Sequence, residues 1–236
     1  MKILAIDASG NVVSAAIADD EKIIAECSLD FKMTHSQTLM PIVDELVKRT
    51  NFDLKTLDYI AVTSGPGSFT GLRIGAATAK GLAHGLNIKL VAVPTLETLA
   101  YNIFETDKYI CPIMDARRQQ VYNAVYKWEN GRLKTILEGG ARSIDEVFEF
   151  CKTLDNKTIF LGDGVKVYKD RINEFDNLLI APISARVQRA ACTAALALLY
   201  AKDGKAINGS DFAPKYFRKS QAERELEEKR SGGKDD

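Results

Sequence analysis

The chain has 236 residues, 46% of them hydrophobic and 27% charged, with 32 basic side chains balanced by 32 acidic ones. That length is one large domain or two small ones, enough to bury a real core, and the charge balance excludes a protein that grips nucleic acid through a basic face of its own. No apolar run approaches the ~20 residues of a membrane helix, so no bilayer span is expected. The chain opens directly on a strand-like run, Met1-Lys-Ile-Leu-Ala-Ile-Asp7, without a leader pattern. Cys27, Cys111, Cys151 and Cys192 are scattered with no CxxC pair. They read as reduced core thiols of a cytoplasmic protein, not as a disulfide framework or a zinc site.

In chain order, residues 2–8 form a buried strand, Gly10-Asn11 a turn, and residues 12–18 a returning strand. Asp19-Asp20 turns the chain into a third strand over 22–28. A helix over 36–49 follows, then a strand at 59–63, a helix over 70–84, a strand at 90–93 and a helix over 96–104. The second half repeats this order. Strands are expected at 109–115, 121–126 and 133–137, a helix after Ser143 with Glu146 completing a capping box, and a strand at 158–161. Helix near 165–175, strand at 178–180 and a long helix over 184–202 complete it. The openings align at a constant offset: Ile6-Asp7-Ala8, Val13 and Ala16 against Met114-Asp115-Ala116, Val121 and Ala124. The expected organisation is an N-terminal lobe over 1–105, a C-terminal lobe over 106–220, and a mobile charged tail over 221–236.

A duplicated βββαβαβα unit resembles the α/β actin-like ATPase (ASKHA) fold, two ribonuclease H-like lobes whose first hairpins each carry an Asp beside a phosphate-cradling backbone. Asp7 and Asp115 stand at those positions. Asp7-Ala-Ser9-Gly-Asn11 is compatible with phosphate contact or with a carboxylate capping its own turn. Asp115-Ala is followed by Arg117-Arg118-Gln119-Gln120, where long side chains replace the glycines that allow close backbone approach; the arginines could still hold phosphate through their side chains, so nucleotide contact is weakened and not excluded. Asp7, Ser9, Asn11 and Asp115 are therefore a candidate vestigial phosphate loop.

Ser64 to Gly85 holds a dense run of glycines, yet neither the P-loop spacing nor G-x-G-x-x-G is met, since Thr70 stands where the latter needs glycine. The spacing instead gives a helix with one small-residue edge, Gly71, Gly75, Ala79 and Ala83. Two neighbours could fill it: a partner helix at close approach, or the adjoining sheet. The helix after Thr34 carries an apolar stripe of Leu39, Met40, Val43, Leu46 and Val47, widened by Ile42; Thr34 and Gln37 suit a capping box, and Pro41 predicts a kink or a later start. His35 and His84 each lack a second ligand at helical spacing, and Ser64-Gly-Pro-Gly-Ser68 lacks the order of a nucleophile elbow. Trp128 is expected to pack on a hairpin.

Asp7-Ala-Ser, Thr34-His-Ser-Gln-Thr-Leu-Met-Pro41, Ser64-Gly-Pro-Gly-Ser-Phe-Thr-Gly-Leu-Arg-Ile-Gly75 and Ala213-Pro-Lys-Tyr216 together resemble the TsaB family, over about residues 1–222. The resemblance implies a non-catalytic accessory protein of bacterial tRNA threonylcarbamoyladenosine synthesis, acting at adenosine 37 of tRNA. It implies a catalytic relative, TsaD, whose His-x-x-x-His metal motif reads here His35-Ser-Gln-Thr-Leu39, without the second ligand. It further implies a TsaD heterodimer through the two leading helices, a homodimer when TsaD is absent, and TsaE in a ternary complex. ATP, ADP and metal belong on those partners, and tRNA contact arises only through the complex. Two ~14-residue helices, each about 21 Å long, paired with two from a partner would bury roughly 1,600 Å². Leu39, Met40, Val43, Gly71, Leu72, Ile74, Gly75, Ala79 and Ala83 are the expected partner-binding residues, with Tyr216, Phe217 and Arg218 as a tail contact. The alternatives are an ATP-dependent phosphotransferase using Asp7 and Asp115, or a peptidase-like protein.

Overall fold

A computed structural model describes residues 1–31 and 34–218. Two mixed sheets organise it, each opening on three antiparallel strands. In the first, β1 (Lys2–Asp7), β2 (Val13–Asp19) and β3 (Ile23–Leu29) form a meander, and β4 (Tyr59–Thr63) and β5 (Lys89–Val93) add in parallel on the far side of β1. The second repeats the plan with β6 (Tyr109–Asp115), β7 (Gln120–Glu129), β8 (Arg132–Ser143), β9 (Thr158–Leu161) and β10 (Leu178–Ile180). The edge strand β11 (Ala206–Ile207) pairs antiparallel with β5, giving the orders β11-β5-β4-β1-β2-β3 and β10-β9-β6-β7-β8.

α1 (His35–Thr50) and α2 (Phe69–Leu86) cover one face of the first sheet. They bury Leu39, Ile42, Val43 and Leu46 from α1, and Ala76, Ala79 and Ala83 from α2, against Leu4, Ile6, Ala15, Ile17, Ile60 and Val62. Both helices end on an asparagine in the left-handed region, Asn51 and Asn87, whose backbone N–H closes the last turn. Pro41 lies inside α1, and the helix runs through it. Thr34 stands at the N-cap without capping through its side chain; its hydroxyl meets Gln37 Oε1 at 2.9 Å. At α4 (Ile144–Lys152) the Ser143–Glu146 capping box forms in full.

Two helices pack across the expected boundary at 105. α3 (Thr95–Ala100) precedes it in the chain but packs Leu96, Leu99 and Ala100 on Ile110, Met114 and Ala124 of the second sheet. α6 (Ala190–Lys202) follows it but packs Ala190, Ala194 and Ala197 on Ile3, Ala5, Ala16 and Val91, the other face of the first sheet. Neither 1–105 nor 106–220 is thus a self-contained lobe: each sheet borrows a covering helix from the other half. The helix expected over 184–202 is also shorter, since a single 3₁₀ turn at Ile183–Ala185 precedes the start of α6 at Ala190. The segment 221–236 lies outside the described residues.

Candidate functional site

The hairpins β1–β2 and β6–β7 face each other across a cleft of about 640 Å³. Ser9, Gly10 and Asn11 line one side with Gly67, Ser68 and Thr70; Asp115, Arg117, Asp163 and Lys166 line the other. The sequence offset between the openings holds, but their pairing differs by one residue. Asp7 pairs with Ser14, whereas Asp115 pairs with Val121, the counterpart of Val13. The first turn is accordingly one residue longer, and the two aspartates end in different environments.

Asp7 is fully buried and does not line the cleft. Its Oδ1 accepts from Ser9 N–H at 2.9 Å, Ser9 Oγ at 2.6 Å and Thr63 Oγ1 at 3.1 Å, which ties the hairpin to the end of β4. Oδ2 has no hydrogen-bond partner among the described residues. Burial raises the Asp7 pKa, against the pull of the Ser9 and Thr63 hydrogen bonds. Its work is to hold its own turn. His35 Nε2 lies 2.9 Å from the Gly10 carbonyl, so that ring too is engaged with the hairpin. Asp115 is exposed, and its Oδ1 accepts from Arg117 N–H at 2.8 Å. Its own N–H donates to Asp163 Oδ1 at 3.0 Å; burial raises the pKa of Asp163.

The fold would place a nucleotide phosphate between these hairpins, where close backbone approach is restricted on both sides. The glycines nearest the first hairpin are already spent on it. A Cβ on Gly67 would stand 2.1 Å from the Ser9 carbonyl oxygen, and one on Gly71 the same distance from that of Ala8. On the other side Arg117, Arg118 and Gln119 run consecutively through the left-handed region, at φ +61°, +54° and +60°. No glycine opens that turn to a phosphate. Among the described residues, no group of three or more His, Cys, Asp or Glu side chains converges to hold a metal. The four cysteines are free thiols, with Cys111 and Cys151 buried. Trp128 packs between Tyr101 and Phe104 and donates from Nε1 to the Ile103 carbonyl at 2.6 Å.

The small edge of α2 meets its own sheet. Gly71 and Gly75 sit over Ala8 and Val62, and Ala79 and Ala83 lie in the first-sheet core. Leu39, Val43 and Leu72 are buried within the chain as well. Of the two neighbours that the spacing of Gly71, Gly75, Ala79 and Ala83 admits, the sheet occupies this edge. Met40, 45% exposed, and the half-buried Ile74 remain on the outside. α2 has a second small edge, the exposed Ala77, Gly81 and Gly85. A Cβ at Gly81 or Gly85 would meet nothing within 4 Å among the described residues. Tyr216, Phe217 and Arg218 fold back on their own chain: Tyr216 lies against Phe69 and Phe217 against Tyr122, while Arg218 donates to the Ala116 carbonyl. Gln188, 1% exposed and pressed against Gly10, carried no sequence signal.

Two stacked lobes of the actin-like fold, meeting at a cleft without a phosphate cradle, define the class of protein. Comparison with known proteins narrows it. The family model for TsaD, tRNA N6-adenosine threonylcarbamoyltransferase, matches residues 30–226. The tRNA threonylcarbamoyladenosine biosynthesis protein TsaB of Bacillus subtilis is 38% identical over 174 residues, 74% of this chain and 76% of that protein. Its namesake from Escherichia coli is 27% identical over 96% of this chain and 98% of its own. YeaZ from Pseudomonas aeruginosa shares the fold with a TM-score of 0.76 at 22% identity, covering 91% of this chain and 99% of that one. The chain belongs to the family that the TsaD model describes and, within it, to the TsaB proteins of tRNA threonylcarbamoyladenosine biosynthesis.

Proposed function

We propose that this chain is a non-catalytic accessory subunit that binds and activates the threonylcarbamoyltransferase TsaD, with TsaE completing a ternary complex, for modification of adenosine 37 of tRNA. The docking surface is the outer side of α1 and α2. The observation that carries this reading is Gly81, inside an 18-residue helix, with open space where its side chain would stand. A glycine there costs the helix about 1 kcal/mol relative to alanine, and no contact among the described residues accounts for it. A helix crossing at close approach would. Ile74, Ala77 and Gly85 extend the same edge, and Met40 lies on the neighbouring helix.

The site chemistry supports an accessory role. His35 has Leu39 four residues on, 1% exposed in the core, where a metal-binding helix would present a second histidine. ATP, ADP and metal are then the business of TsaD and TsaE, and tRNA is reached only through the complex, in the cytoplasm. A second copy covers the same helices when TsaD is absent. Size-exclusion chromatography with TsaD, followed by a reconstituted modification assay, tests the reading. Gly81→Trp should fold, fail to co-elute and fail to support modification. Co-elution and full activity of that variant would reject the assigned surface.

A further inference from the structure

We infer that residues 213–218 are an interlobe strap: the chain's own C-terminal segment closes the cleft that a nucleotide bridges in other proteins of this fold. The inference stands apart from partner docking and concerns how the two lobes are held.

The strap is seated on both sides. On the first lobe, Lys215 N–H donates to the Ser64 carbonyl at 2.7 Å, and the Lys215 carbonyl lies 2.3 Å from where a Cβ on Gly65 would stand. Gly65 has φ +107°, so only glycine suits both the backbone and the close approach. Tyr216 lies against Phe69, at the first turn of α2, with ring centroids 4.7 Å apart. On the second lobe, Phe217 meets Tyr122 edge-on at 6.0 Å, and its ring edge lies 3.0 Å from where a Cβ on Gly139 would stand. Arg218 Nη1 donates to the Ala116 carbonyl at 2.8 Å, in the turn after β6. Two glycines in different lobes thus leave room for neighbouring residues of one short segment. Tyr216, Phe217 and Arg218 all line the cleft itself.

The geometry gives this arrangement its consequence. The lobes are otherwise joined covalently at Pro94, between β5 and α3, and by the crossing at 181–189, and non-covalently by contacts that do not line the cleft, Tyr200 Oη to Glu97 and Arg132 to Asp203; a two-lobed body on such joints hinges unless something spans its mouth. Close backbone approach by a nucleotide phosphate is restricted at both hairpins. The strap supplies the missing bridge from within, so closure of this chain depends on an aromatic and a guanidinium contact instead of a ligand.

Distance measurement by electron spin resonance tests this on the full chain. Nitroxides are attached through a keto-bearing amino acid at Glu45 and Lys169, exposed on α1 and on α5 (Gly164–Ile172), with unlabelled chain in excess to suppress contacts between copies. The unaltered strap should give one narrow distance distribution that Mg-ATP does not move. Tyr216→Ala/Phe217→Ala should lengthen and broaden it, and Arg218→Ala should shift it the same way by less. A folded double variant that keeps the narrow distribution overturns the strap, and so does a shortening of the unaltered distance by Mg-ATP. Should the double variant not fold, Arg218→Ala decides alone, and an unmoved distance then overturns the inference.

Discussion

Gly81 offers a test in which stability and association should move in opposite directions. It is the thirteenth residue of α2, away from both ends, and nothing described within 4 Å opposes a Cβ there. Alanine at a helix-interior glycine gains about 0.8–1 kcal/mol. For a protein of this size each kcal/mol moves Tm by roughly 2–4 °C, so Gly81→Ala should melt about 2–4 °C higher. Gly81→Leu should gain nearly as much, because leucine is also a good helix former and its side chain has open space. Circular dichroism or differential scanning fluorimetry at submicromolar concentration reads the isolated chain.

Association should suffer. Inserting leucine where helices cross closely forces them apart, at a typical overpacking cost of 1–3 kcal/mol, or roughly 5- to 150-fold in Kd. Titration of labelled chain with TsaD measures it. The reasoning is refuted if Gly81→Ala lowers Tm in dilute solution, because the outer edge would then be covered within the chain. It is equally refuted if Gly81→Leu binds TsaD at full strength.

Other sites carry sharper structural expectations. Gly71→Ala should destabilise the isolated chain and lower its yield of folded protein, because its Cβ would lie 2.1 Å from the Ala8 carbonyl oxygen and neither backbone can give way cheaply; a melting temperature equal to the parent's would contradict this. At Asp7, alanine would strand the Ser9 N–H, the Ser9 hydroxyl and the Thr63 hydroxyl, and should cost at least ~2 kcal/mol. Asparagine keeps an oxygen at that corner and should cost less, as urea unfolding would read. The pH dependence has a definite sign. Burial raises the folded-state pKa of Asp7, so the folded chain holds this proton where the unfolded chain has released it, and the Asp7 contribution falls as pH rises from the unfolded value of 3.8 to the folded one. Unfolding free energies measured from pH 4 upward should show this downward component in the parent and lack it in Asp7→Asn. Burial also pushes the Cys192 thiol up to about 12, leaving roughly one molecule in 10⁴ as thiolate at pH 8. Iodoacetamide should therefore label Cys192 in the folded chain far more slowly than in urea, as peptide mass spectrometry can follow; equal rates would refute it.

The strand order was legible because each hairpin states itself locally. Ile6-Asp7-Ala8 and Met114-Asp115-Ala116 end buried strands, and the returning strands follow at the same offset. The one-residue slip between the two hairpins was not legible. It depends on turn geometry, and three consecutive left-handed residues at 117–119 are not signalled by Arg-Arg-Gln. The Ser143–Glu146 cap could be read from four residues, whereas Thr34 shows that the same spacing fails when the hydroxyl finds a side-chain partner first. At the cleft, Asp115 and the crowded turn after it were visible, but Asp163, and Gln188 buried behind Gly10, came from distant chain segments with no pattern to join them.

The two largest revisions share one physical cause. Periodicity identifies which face of a helix is bare or apolar, but not which surface fills it. Gly71, Gly75, Ala79 and Ala83 do mark a close approach; the approaching surface is the middle of the first sheet, at Val62 on β4 and Ala8 just after β1. α6 is apolar nearly all round, burying Ala190, Ala191, Ala194, Leu196, Ala197 and Leu198, so no single stripe ties it to a sheet, and its place in the chain suggests the wrong one. It lies on the first sheet, and α3 lies on the second, because each sheet needs both faces covered. That exchange has a mechanical consequence. Opening the cleft must move α3 and α6 with the sheets they cover, so the two layered bodies would rotate about the crossings at Pro94, between β5 and α3, and at 181–189. The outer edge of α2 and the first turn of the same helix, where Tyr216 packs on Phe69, are then two ends of one rigid rod.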